Sequence, residues 1–119
     1  MTIDSSDLLK IVVKAADDKR AEEIVALDVQ KVSLLADYFV ICHGNSEKQV
    51  GAIVDEIVEQ AAINGVQVSR VEGKESGKWV LIDLGDIVVH VFHNSERTFY
   101  NLEKLWSDAP MVNVSSMVD

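Results

Sequence analysis

The chain has 119 residues, 48% of them hydrophobic, and 20 acidic against 11 basic side chains give it a net charge of −9. That length suits one domain with its own core, and the apolar content excludes disorder. The charge argues against broad contact with nucleic-acid phosphates, which needs a basic stripe, and against an anionic membrane; it favours a basic protein surface as partner, with solubility as the plainer reason for it. The single cysteine, Cys42, excludes an internal disulfide and a paired-thiol redox or zinc site. A reducing compartment follows, and the cytoplasm is the expected location. The segment 1–19 is acidic early, and Lys10 and Lys14 interrupt its apolar residues. It reads as neither transit peptide, signal sequence nor membrane span.

Leu8, Leu9, Val12, Val13 and Ala16 recur at helical spacing behind the capping candidates Asp4, Ser5 and Ser6. A strand follows through Asp28, then a turn. The stretch 36–43 is a second strand, apolar on both faces and therefore central in a sheet. Ser46 and Gln49 form a capping box ahead of the stripe Val50, Ile53, Val54, Ile57, Val58 and Ala61. Asn64-Gly65 stops this second helix. Residues 66–71 read as a third strand and 72–77 as a polar loop.

A hairpin comes next, "WVLIDLGDIVVHVF" from Trp79 to Phe92. Gly85-Asp86 suits a two-residue turn with glycine first, and that turn fixes the register. Leu84 then faces Ile87, Ile82 faces Val89 and Val80 faces Val91, so six aliphatics share one side. On the other side Asp83 meets Val88, Leu81 meets His90 and Trp79 meets Phe92. The stretch 94–106 is an amphipathic helix with Phe99, Leu102, Leu105 and Trp106 as its stripe, ended by Pro110.

The order is α-β-β-α-β-β-β-α. It implies an α/β fold: a two-layer mixed sheet of about five strands with helices on one face. The expected organisation is a single domain over 1–108 and a flexible C-terminal tail over 109–119. The order of the first three strands in the sheet is left open.

Catalysis finds little support. Cys42 and His43 are adjacent on a strand and point to opposite faces, so Cys42 reads as a buried, inert thiol. His90 lies one diagonal from Asp83; the pair fits a base with its orienter, or, better, a hydrogen-bonded surface pair, since no nucleophile stands beside it. The His43 and His93 positions lack the converging spacing of zinc ligands. The Gly44–Ser46 junction faintly resembles that of nucleotidyltransferases, whose magnesium dyad is absent because there is no D-x-D strand. Trp79 and Phe92 are the sharper signal. Phe92 fits either the underside of the last helix or an open face; Trp79, at the end of the sheet, fits exposure. A large apolar patch with Arg97 just beyond it marks a partner site. For Arg97 the plain alternative is an ion pair at the helix start, and Tyr100 fits either surface.

Taken together, "ADYFVICHGNS", "WVLIDLGDIVVHVF" and "RTFYNLEKLW" resemble the ribosomal silencing factor family, also called Iojap-like, from the first helix through Trp106. The resemblance implies a nucleotidyltransferase-related fold and a bacterial translation repressor without catalytic residues, cofactor or metal. It implies binding to the large ribosomal subunit through its protein numbered fourteen, at the intersubunit face. Small-subunit joining is thereby blocked when nutrients are scarce. Trp79 occupies the family's contact tryptophan, and the motif positions Asp83, Gly85, Asp86, His90, Phe92, Arg97 and Tyr100 are present. With Leu81 on the same face, the expected ribosomal-protein contacts are Trp79, Leu81, Asp83, Asp86, His90, Phe92, Arg97 and Tyr100. No membrane and no direct nucleic-acid contact is expected, and the free protein is a candidate homodimer. The alternatives are a magnesium-dependent nucleotidyltransferase using Asp83, Asp86 and the Gly44–Ser46 turn, and a ribosome assembly factor, as organellar relatives suggest.

Overall fold

Two apolar stripes and a set of alternating strands fix the architecture. The computed structural model describes residues 3–30, 36–95, 111–112 and 114. Helix α1 (Ser5–Asp18) starts at Asp4, whose side chain makes no capping bond, and buries Leu8, Leu9, Val12, Val13, Ala15 and Ala16. Helix α2 (Glu47–Ile63) has a formed cap: Ser46 Oγ accepts from the Gln49 amide at 3.0 Å, and Gln49 Oε1 accepts from the Asn45 amide at 2.7 Å. Its buried stripe is Val50, Ile53, Val54, Ile57 and Ala61. Asn64 closes it, and Gly65 supplies the left-handed φ of +84° that the exit needs.

The strands are β1 (Glu22–Asp28), β2 (Tyr38–Gly44), β3 (Arg70–Glu72), β4 (Trp79–Asp83), β5 (Ile87–His93) and β6 (Met111–Val112). They form one mixed sheet in the order β3-β4-β5-β2-β1-β6, which settles the arrangement of the early strands. Among the described strands only β2 and β5 run parallel; the other pairs are antiparallel. β2 is an interior strand, as its apolar composition on both faces requires.

The hairpin keeps the expected register: Asp83 opposes Val88, Leu81 opposes His90 and Trp79 opposes Phe92. The turn closes with the Leu84 amide donating to the Ile87 carbonyl at 2.9 Å, and Gly85 sits at a φ of +90°. Val80, Ile82, Leu84, Ile87, Val89 and Val91 all join the core beneath α1 and α2, together with Ala26, Val40 and Cys42.

Three readings change. Residues 66–71 are not one strand: β3 spans only Arg70–Glu72, the Ser69 amide adds one bond to the Asp83 carbonyl at 2.8 Å, and the Val66 amide is spent on the Ala61 carbonyl at the helix exit. Met111–Val112, placed by the sequence in a loose tail, pair with Leu27 and Ala26 at the sheet edge. β1 carries a bulge between Glu22 and Val25, with Glu23 at a φ of +48°. The proposed helix over 94–106, with Arg97, Tyr100 and Trp106, lies outside the described residues apart from its start.

Candidate functional site

The side of the sheet away from the helices has its own packed centre. Leu27, Val29, Ala36, Ile41 and Phe92 form a second buried cluster, with Val25, Phe39, Trp79 and Val88 half-buried against it. Phe92 is 1% exposed. Phe92, expected among the partner contacts, is thus packed as a core residue of this face in the free chain. The cause lies in the pairing, since β5 is interior and Phe92 is flanked by Trp79 on β4 and His43 on β2. The Trp79 ring stacks on it, with centroids 5.2 Å apart and planes 24° apart.

His90, read from the sequence as half of a surface pair with Asp83, is instead an interior group at 8% exposure. It does not pair with Asp83. Its Nδ1 accepts from Trp79 Nε1 at 3.1 Å. Asp83, half-buried, instead accepts from the Gly85 amide at 2.9 Å and shapes the turn. Burial pushes the His90 pKa down to about 4, because a cation there would lose its water.

Trp79 and Leu81 remain half-buried at the rim, next to Gly73 and Glu72 around a cleft of about 230 Å³. Gly73 makes this arrangement possible. It sits at a φ of +83°, and a Cβ on it would stand 2.1 Å from the Trp79 carbonyl oxygen. The loop thus passes directly against the backbone that carries the indole. Asp86 is exposed at the hairpin turn, the opposite end from Trp79, and its carbonyl accepts from the Asp37 and Tyr38 amides. The structure therefore brings together Trp79, Leu81, His90 and Phe92 but leaves Asp86 apart. Arg97 and Tyr100 lie outside the described residues.

Phe39, Glu72 and Gly73 belong to this face and were not expected there. Phe39 opposes Val88 through the parallel β2–β5 pairing, which no local signal announces. Gly73, in the polar loop ahead of the tryptophan, is a usable signal for the close approach.

At the C-terminal end of the β2–β5 pair, the end that also carries Trp79, Glu22 accepts from Asn45 Nδ2 at 3.0 Å and contacts His43 Nε2 at 3.2 Å. Asn45 in turn accepts from Asn94 at 3.0 Å. This polar network ties the strand ends to α2. Cys42 is buried in the core. Among the described residues, no group of three His, Cys, Asp or Glu side chains is placed to hold a metal ion, and no helix is long and apolar enough to cross a membrane.

The fold and this face define a two-layer α/β protein with an aromatic, partly open sheet surface. The family described as "RsfS: Ribosomal silencing factor during starvation" matches residues 2–119. A relative from Bacillus subtilis, "Ribosomal silencing factor RsfS", is 59% identical over 112 residues, 94% of this chain and 95% of that one. A solved structure from Bacillus halodurans aligns with a TM-score of 0.82 at 55% identity, covering 92% of this chain and 99% of its own. Another, from Chromobacterium violaceum, aligns with a TM-score of 0.86 at 33% identity, covering 88% of each chain. The chain belongs to the ribosomal silencing factor family. That is a family named for regulating translation rather than for catalysis.

Proposed function

We propose that the protein docks through the Trp79 rim of its outer sheet face onto the large-subunit ribosomal protein numbered fourteen and blocks joining of the small subunit by its bulk. The observation that carries this reading is the half-buried indole, stacked on Phe92 and hydrogen-bonded to His90 beside an open cleft. Such a ring is held in place before binding, so little side-chain freedom is lost on contact. Aromatic anchors of this kind dominate interface energetics.

Trp79 and Leu81 make the contact, together with Arg97 and Tyr100 from the segment that follows β5. Asp83 and Asp86 act at longer range. With the net charge of −9 they draw in a basic protein surface and repel neighbouring RNA. No chemistry is required: the barrier to subunit joining is steric. The factor works in the cytoplasm, and the free protein closes the same face on a second copy.

Mixing purified subunits with the protein and measuring joined particles by sedimentation tests the reading. The wild-type chain is expected to hold large subunits free and to travel with them. Joining that proceeds unhindered, with the chain left at the top of the gradient, contradicts it.

A further inference from the structure

We infer that His90 is a positioning residue: its Nδ1 takes the indole N–H of Trp79 and fixes the angle at which the ring meets the partner, without itself touching that partner. The inference rests on the docking role proposed for Trp79. His90 sits on β5 opposite Leu81, one pair in from Trp79 and Phe92. At 8% exposure it has almost no surface to offer a partner. Its ring is enclosed on several sides. Phe39 meets it edge-on at 5.7 Å, Phe92 lies nearly parallel at 6.4 Å, and the Trp79 ring is 5.9 Å away.

A stacking contact has no preferred in-plane angle, so by itself it does not fix how an indole is turned. A directional N–H···N bond at the ring edge sets that angle. Accepting at Nδ1 requires that atom to be bare, so the neutral imidazole carries its proton on Nε2. Burial favours this neutral form. Among the described residues, the charged or titratable groups on the strands of this face are Arg70 and Glu72 on β3, which pair with each other at 2.9 Å, Asp83 on β4, His43 on β2 and Glu22 on β1. Asp83 is bonded to the Gly85 amide, and His43 is paired with Glu22 at the sheet's end.

Affinity for the purified ribosomal protein numbered fourteen provides the test, with far-UV circular dichroism as the check on folding. His90→Leu fills the site without an acceptor, and His90→Asn keeps an oxygen close to the Nδ1 position. The first is expected to weaken binding about tenfold and the second by less than about threefold. In a Trp79→Phe background, which has no indole N–H, His90→Leu should add nothing further. The Trp79 indole N–H resonance should shift and lose exchange protection in His90→Leu and stay nearer its place in His90→Asn. Should His90→Leu not fold, His90→Gln, which carries its acceptor away from the Nδ1 position, replaces it with the same expectations.

A folded His90→Leu with unchanged affinity overturns the inference, and so does an equal loss in the Trp79→Phe background. If the resonance shifts but Trp79→Ala binds normally, it is the docking role of Trp79 that has failed, and the positioning role falls with it.

Discussion

The two faces of the sheet solve different problems with the same strands. The helical face is aliphatic and closed: Val80, Ile82, Leu84, Ile87, Val89 and Val91 meet the stripes of α1 and α2 and are almost wholly buried. The outer face is aromatic and graded. Its centre, Ile41 and Phe92, is buried, while Trp79, Leu81 and Phe39 are half-open around it. It also holds a buried imidazole, which a face built for stability alone would replace with an aliphatic side chain. The first face holds the fold together; the second also orients a ring.

That contrast breaks down if the outer centre contributes nothing to stability, so the largest expected effect is there. Phe92→Ala should destabilise the chain by about 3–5 kcal/mol in urea unfolding, as for any buried aromatic. A loss below about 1 kcal/mol would mean that Phe92 is open after all. On the helical face Ile57→Ala should cost about 2–4 kcal/mol, with the folded protein still binding its partner normally. A specific loss of affinity would mean that the helices take part in docking.

The third test uses pH. The His90 pKa falls from 6.5 to about 4 on folding, so between these values the unfolded chain binds the extra proton. Stability attributable to His90 is complete above 6.5 and is lost as pH falls towards 4, by up to about 3 kcal/mol. Comparing wild type with His90→Leu isolates this slope, because the other titrating groups are common to both. Parallel stability–pH curves would show that His90 is not buried as a neutral ring. The smallest effect is local: Ser46→Ala should cost about 1 kcal/mol through the lost cap on the Gln49 amide and leave both faces intact.

Much of this was legible in the sequence, for reasons tied to particular residues. Gly85-Asp86 sets the hairpin's parity, and parity alone sorts Val80 to one face and Trp79 to the other. Ser46 and Gln49 announce the start of α2 because their side chains satisfy local backbone groups. Long-range outcomes were not legible. The parallel pairing of β5 with β2 sets Phe39 beside Val88 and encloses Phe92, yet nothing in either strand specifies it. Met111–Val112 are too short to read as a strand without the β1 edge they join. The bulge at Glu23 places a non-glycine residue at positive φ, against its local preference. His90 looked like a partner for Asp83 by diagonal spacing, but the adjacent indole reaches it first.

The central claim is that the Trp79 ring is the anchor on the ribosomal protein. Titrating folded Trp79→Ala against the purified protein numbered fourteen measures it directly. The expected loss is about 30- to 1,000-fold, or roughly 2–4 kcal/mol, with the fold retained. An affinity equal to wild type would contradict the account.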